Sequence, residues 1–307
     1  MAKVLVTGGA GFIGSHVTDA YIAAGHDATV VDNLLTGRRA NLNPEADFHE
    51  MDIRDEALGA LFAEKQFDYV NHLAAQIDVR RSVQEPRFDA DINILGGIHL
   101  LELSVKHKVK KLLFASTGGA IYGQPAALPA AEDCPPKPEC HYAVSKLSFE
   151  HYIALYQRLY GLAYTILRYP NVYGPRQNPE GEAGVCSILA GKMLANEQPV
   201  LYGHGEPLRD YVFVGDIARA CVLALDQGGG ETLNLGSGKG TSVRGLFDIL
   251  KELTGYAGEP RLEPLRPGEV EKVYITGARA REALGWKPEV RLRDGLARTV
   301  GHIRQEG

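Results

Sequence analysis

The sequence has little of almost every residue pattern that marks a specialised class of protein. It holds one tryptophan, three methionines and four cysteines in 307 residues. The cysteines, Cys134, Cys140, Cys186 and Cys221, form no C-x-x-C pair, so a zinc site or a disulfide framework is not expected and free thiols are. No apolar run approaches the ~20 residues of a membrane-spanning helix. No leader pattern precedes "MAKVLVTGG", so the expectation is a cytoplasmic protein with no membrane partner. Neither sign of charge dominates: a net charge of -5 and a pI near 6.1 argue against nucleic acid as a partner. Repeats and low-complexity segments are missing too.

What remains is an ordinary globular composition, with 45% hydrophobic and 23% charged residues, enough for a sizeable core. "AKVLVTG" is a short β-branched apolar run that ends in glycines, as a buried parallel strand does. "GFIGSHVTDAYIAAGH" then reads as a helix closed by Gly25. "DATVVDN", "DYVNHLAA", "KKLLFAST" and "AYTILRY" read as further strands, with "ILGGIHLLELSVKHK" and "YAVSKLSFEHYIALYQRLYG" as helices. Strands alternating with helices imply an α/β fold with a doubly wound parallel sheet. Past Tyr173 the Pro-, Gly- and charge-rich stretches "GPRQNPEGEAG" and "EPRLEPLRPGEVEK" suit loops over a cleft. "DYVFVGDIARACVLAL" and "ETLNLGSG" look like core elements. The expected organisation is a nucleotide-binding domain over 1–172 with returns near 210–237. A smaller, discontinuous domain takes the rest of 173–307.

"TGGAGFIG" sits where the first strand stops and the first helix starts. Gly9, Gly11 and Gly14 satisfy G-x-G-x-x-G, and Gly8, Gly11 and Gly14 satisfy G-x-x-G-x-x-G. Glycines there let the turn tighten and the backbone approach a pyrophosphate at the helix N-terminus. Asp32 follows Gly11 by 21 residues at the end of the second strand, placed to accept from the adenosine ribose hydroxyls. A carboxylate there repels a 2′-phosphate, which favours NAD over NADP. Asp52, after "FHEM", is placed either to reach the adenine or to turn the chain.

Tyr142 and Lys146 lie four apart in "HYAVSKLSFEHY", hence on one helical face. A phenol titrates near 10 when unperturbed, so it is a poor base at neutral pH. A nearby ammonium, with the positive nicotinamide ring, is expected to favour the phenolate. Thr117, at a strand end in "STGGAIYG", is placed to hydrogen-bond the same substrate hydroxyl. Such a trio removes an alcohol proton while hydride leaves the carbon for NAD.

With these residues in place, the chain resembles the extended short-chain dehydrogenase/reductases, and within them the UDP-glucose 4-epimerase group. The resemblance runs nearly end to end, through "VTGGAGFIGSH", "VVDNL", "HLAA", "FASTGGAIYG", "YAVSK", "RYPNVYGPR", "LRDYVFVGDIARA", "NLGSG", "RPGEVEK" and "LGWKP". It implies a Rossmann sheet, with Tyr142 as base, Lys146 on the nicotinamide ribose, and Thr117 assisted by Ser116. It further implies NAD contacts from Phe12, Ile13, Asn33, Ile53, Leu73, Ala74, Ala75 and Tyr169. For a UDP-sugar it implies Asn171 at the diphosphate, Arg209 and Arg266 as phosphate clamps, Tyr202 against uracil, and Glu269 in "RPGE". Arginine's fork fits phosphate oxygens bidentately, which agrees with that assignment.

Dehydratases of this superfamily carry acids where this chain has Gly118 and Gly119. Without side chains there, the expected reaction stops at C4 epimerisation through a transient keto sugar. The departures from the family pattern are Cys140 and His141 before the tyrosine, Pro170 before Asn171, and Glu269 where Asp is commoner. The sugar itself stays open. Val273 is intermediate in bulk at a position linked to N-acetyl groups. Arg80 and Arg81 read either as a solvated pair or as a contact for a C6 carboxylate. UDP-glucuronate and UDP-N-acetylglucosamine 4-epimerases are therefore the alternatives, and a non-catalytic NAD-sensing protein is the rival of another class. Segments near 92–108 and 143–160 are apolar on more than one stripe, so each wants burial on two sides. The resemblance implies that they pair with their copies in a homodimer.

Overall fold

The computed structural model describes residues 1–179, 184–266 and 270–306. Its centre is a seven-stranded parallel sheet. The strands are β1 (Lys3–Thr7), β2 (Asp27–Asp32), β3 (Asp47–Glu50), β4 (Tyr69–His72), β5 (Lys111–Thr117), β6 (Ala163–Tyr169) and, far along the chain, Glu231–Asn234. In space they run Glu231–Asn234, β6, β5, β4, β1, β2, β3, every neighbouring pair parallel. The order reverses beside β1, and that is where open parallel sheets bind ligands, beyond the carboxyl ends of the strands.

Alternation along each strand sends successive side chains to opposite faces, and two cores result. Val4, Val6, Leu113 and Leu167 face the side covered by α1 (Phe12–Ala23) and the helix Val214–Asp226, with Trp286 fully buried among them. Leu5, Val70, Leu112, Phe114 and Ile166 face α2 (Leu58–Lys65), the helix Gly97–Lys106 and the helix His141–Tyr160. Burying a side chain of this size contributes roughly 1.5–3 kcal/mol, so both faces are strongly specified. The helix His141–Tyr160 begins one turn before Tyr142's partner lysine and stops at Gly161, whose φ of 73° gives the left-handed cap.

A third core gathers Tyr173, Leu189, Met193, Leu201, Phe213, Phe247, Leu250 and Leu296 from the second half of the chain. It is built by the helices Val185–Leu194, Val243–Thr254 and Leu292–Glu306 and the strand pair Asn171–Tyr173 with Tyr211–Phe213. The strand at Glu231–Asn234 returns to the main sheet, as "ETLNLGSG" suggested. Elements that escaped the sequence reading include β3 and α2 in the main domain and the helices Val185–Leu194, Val243–Thr254 and Leu292–Glu306. β3 is a half-buried polar edge strand, and α2 is only eight residues long, so neither has a clear period. "EPRLEPLRPGEVEK", read as loop, contains a short strand at Arg261–Glu263 and runs into another at Lys272–Val273, both held by neighbouring strands rather than by pattern. No described helix is long and apolar enough to cross a membrane.

Candidate active site

The glycine turn is shaped by close approach. Gly8 has a φ of 74°, and a Cβ there would stand 2.7 Å from the Ala74 amide nitrogen. A Cβ on Gly14 would stand 2.0 Å from the Gly8 carbonyl oxygen. Gly11 caps α1, with no side chain over the helix N-terminus. The cradle that a pyrophosphate needs is thus present, and Phe12 and Ile13 begin the helix behind it. Ala74 donates its N–H to Thr7 Oγ1 at 3.2 Å, and Leu73 donates to the Thr7 carbonyl at 3.2 Å. Thr7 in turn lies 2.9 Å from His72 Nδ1, and burial holds that ring neutral, down to about 3. His72 was visible in "HLAA" but went unassigned.

Asp32 is buried at the end of β2. Its carboxylate accepts from the Ala10 amide at 3.0 Å and the Leu34 amide at 2.8 Å, which fastens it beside the glycine turn. Burial pushes its carboxyl upward, opposed by those amides and that of Gly11. Asn33 donates to Asp52 at 2.8 Å, and Arg54 donates to both oxygens of the same carboxylate. Arg54 holds Asp52 down at about 2. Asp52 is therefore engaged in ordering its own loop, while Ile53 is buried against Gly96. Ala75 follows Ala74 beyond the end of β4.

On the neighbouring strand, Thr117 closes β5 and meets the Tyr142 hydroxyl. Lys146 is 3% exposed, donates to the Ala115 carbonyl at 2.9 Å, and sits 4.6 Å from the Phe114 ring centre and 5.9 Å from that of Tyr142. Burial, then Cys140 and Asp89, push the Tyr142 phenol up, against the pull of the Thr117 hydrogen bond. Burial brings Lys146 down to about 7, against Asp89 and Glu150. Among the protein's own groups the expected lowering of Tyr142 is thus opposed, because desolvation of the phenolate outweighs the Thr117 hydrogen bond. His141 opens the same helix on its exposed side.

Three of the expected site residues are engaged within the protein itself. Ser116 points to the opposite face from Thr117, as strand alternation requires, and donates to Glu150 at 2.5 Å. There it joins a buried network in which Arg168 pairs with Glu150 at 2.6 Å and reaches Tyr122 at 2.7 Å. Tyr169 buries its side chain in the core with its hydroxyl 3.3 Å from Cys221 Sγ, so only its carbonyl, which accepts from Gly118 at 2.7 Å, reaches the strand end. Arg209 donates to the carbonyls of Leu208 at 2.9 Å, Val270 at 2.6 Å and Glu271 at 3.3 Å, so it fastens the chain segment next to it.

Arg266 lies over the Tyr202 ring, 3.5 Å from its centre. Asn171 is exposed, and its Oδ1 is the nearest atom, at 3.5 Å, to a Cβ placed on Gly119. Asp210, missed inside "LRDY", is buried and accepts from Ser237 N–H at 3.0 Å and Ile275 N–H at 3.3 Å. It locks three segments together beside Arg209 and Asn171. Val273 is buried opposite Arg209. Glu269 lies outside the described residues. Arg81 pairs with Glu85 at 3.2 Å and covers the Phe88 ring at 4.1 Å, which favours the reading of a surface charge over a substrate contact. Among the described residues no group of three His, Cys, Asp or Glu side chains gathers as a metal site would need.

A glycine cradle at the switch point of a doubly wound sheet, with a Tyr-Lys-Thr cluster at the end of β5, defines a dinucleotide-binding enzyme of the tyrosine-base type. The chain belongs to the NAD dependent epimerase/dehydratase family, whose model matches residues 4–236. It is 41% identical over 310 residues to a UDP-glucose 4-epimerase of Mycolicibacterium smegmatis, covering 99% of each chain. It superposes at a TM-score of 0.97 on the UDP-glucose 4-epimerase of Thermotoga maritima with UDP-glucose, at 49% identity over 99% of both chains. The Thermus thermophilus UDP-glucose 4-epimerase complex with NAD gives 0.92 at 43% identity, covering 98% of this chain and 99% of that one.

Proposed function

We propose that the protein is a UDP-glucose 4-epimerase, interconverting UDP-glucose and UDP-galactose through a transient 4-keto sugar. The observation that carries this is the Thr117–Tyr142–Lys146 cluster ending at Gly119, where no acid or base stands to carry the reaction on to elimination. The similarity to solved epimerases with UDP-glucose and with NAD supports the substrate and the cofactor. The residues fit NAD: the Gly8–Gly14 turn leaves room for a pyrophosphate, and Asp32 is fixed at the ribose end of β2.

NAD, when bound, supplies reversible hydride acceptance at the sugar's C4. Tyr142 takes the proton of the 4-hydroxyl and returns it after the keto sugar has turned its other face. Thr117 hydrogen-bonds the same oxygen and fixes its distance from the phenol. Lys146, as an ammonium, favours the phenolate and reaches the nicotinamide ribose. Tyr202 receives the uracil, with Arg266 and the anchored Arg209 at the diphosphate and Asn171 between diphosphate and sugar. The same reading divides the chain into an NAD-binding part over 1–172 with returns near 210–237, and a smaller substrate part. Free thiols and a modest negative charge support a cytoplasmic location.

A homodimer belongs to this reading. Val144, Tyr152, Leu155 and Leu159 are exposed on the long helix, together with Leu95. Val79 and Val83 on the adjoining helix Val79–Gln84 widen the patch. Apolar area of this kind needs a cover, and a second copy supplies the same surface.

The test is a product assay with catalytic NAD and no added oxidant. UDP-glucose, UDP-N-acetylglucosamine and UDP-glucuronate are offered in turn, and C4 epimers are resolved by chromatography. UDP-galactose from UDP-glucose without net NADH is expected. Tyr142→Phe should keep NAD and lose ~10²–10⁴-fold in kcat. A Tyr142→Phe protein with full turnover would remove the base from this scheme, and no epimer from any sugar would remove the function.

A further inference from the structure

Asp89 is fully buried, at the end of the short helix Pro86–Ala90 that packs on the catalytic helix His141–Tyr160. Its Oδ1 accepts from Gln76 Nε2 at 3.0 Å and from Asn93 Nδ2 at 3.0 Å. Its Oδ2 accepts from the Ser145 hydroxyl, one residue before Lys146. All three donors are neutral. A buried carboxylate with neutral donors alone carries a large desolvation cost, and such charges persist when a counter-charge lies close by. Of the groups around it, Tyr142 and Cys140 are neutral acids. Glu150 is already paired with Arg168. The amine that feels this carboxylate is Lys146, the residue after Ser145 on the same helix.

We propose that Asp89 is a positioning residue for the Tyr142–Lys146 pair: it ties down the start of the catalytic helix through Ser145 and supplies a counter-charge that opposes the loss of the Lys146 proton on burial. The inference rests on the epimerase reading for the role of Lys146, but the contact itself does not. Asp89, Gln76, Asn93 and Ser145 form one closed set of hydrogen bonds, so the side chain can neither rotate away nor reach solvent. The charge therefore acts at a fixed place. Lys146 is faced by Asp89, Glu150, Tyr142 and His72, and of these Asp89 is the unpaired anion.

The isosteric variant Asp89→Asn removes the charge and keeps the shape. In the full enzyme with NAD, the alkaline limb of its kcat profile should move down by about one pH unit, since an opposite charge at close range is worth that much or more. Ser145→Ala, which cuts only the hydrogen bond, should leave that limb in place and lower kcat a few-fold. Equal profiles for wild type and Asp89→Asn would overturn the proposal. A melting cycle decides the matter even where Asp89→Asn is poorly folded on its own. Lys146→Met strands the Asp89 charge in the interior, so adding Asp89→Asn to it should raise the melting temperature. A double variant that melts no higher than Lys146→Met would equally overturn the coupling. The cycle needs no substrate, so it separates failure of this proposal from failure of the epimerase reading.

Discussion

Ile275 packs its Cδ1 over Gly118, where a Cβ would stand 2.3 Å away. The two glycines after Thr117 are therefore glycines for different reasons. Gly118 makes room for Ile275, which belongs with Ile121, Tyr122 and Ala130 to a small core of its own. Gly119 faces Asn171 and Thr117 at ordinary contact distances of 3.5 and 4.0 Å, so it alone borders the site. Gly118→Ala should lower stability by about 1–3 kcal/mol, an overpacking cost, with Tyr142 still in place. Gly119→Asp should fold normally and lose turnover, because a carboxylate there opposes the Tyr142 phenolate at about tenfold per pKa unit. Thermal melts and kcat for the two variants check the division, and equal behaviour would refute it.

The stack of Arg266 on Tyr202 predicts a binding effect rather than a chemical one. Tyr202→Ala removes a cation–π contact of ~0.5–2 kcal/mol as well as the ring proposed to receive the base. The expected result is a KM for UDP-glucose raised about 2- to 30-fold with kcat nearly unchanged. A fall in kcat at constant KM would place this pair elsewhere in the reaction.

Asp210 predicts a slope in stability against pH. Burial pushes its carboxyl up to about 6, against the hydrogen bonds from Ser237 and Ile275. A carboxyl raised on folding holds a proton that the unfolded chain has released, so its contribution falls as pH rises from about 4 to about 6. The melting difference between wild type and Asp210→Asn should therefore shrink across that window. A difference that is flat with pH would mean that the site is wetter than its packing indicates.

The exposed patch of Leu95, Val144, Leu155 and Leu159 predicts the oligomeric state. Sedimentation should give a dimer for the wild type. Leu155→Asp combined with Leu95→Asp should give a monomer, since each buries a charge in an apolar contact. A wild-type monomer would require another cover for that face.

Much of this protein is set by sequence order alone. The alternating apolar runs determine a parallel sheet, because a strand buried on both faces has nowhere else to go. The spacing of Gly8, Gly11 and Gly14 determines the turn, because any Cβ there meets backbone, and the four-residue spacing of Tyr142 and Lys146 puts them on one helical face. What tertiary structure decided is orientation and partnership. Ser116 shares its face of β5 with Phe114 and bonds Glu150 of the helix that carries Tyr142, whereas Thr117, the last residue of the strand, meets the Tyr142 hydroxyl, and only packing made that division. Tyr169 falls in the core because Cys221 arrives from a helix some fifty residues on. Asp89 and Asp210 sit in unremarkable local sequence, and only long-range packing surrounds each carboxylate with donors. Desolvation is likewise a property of the folded interior, which is why the shifts at Tyr142 and Lys146 could not be read from their spacing.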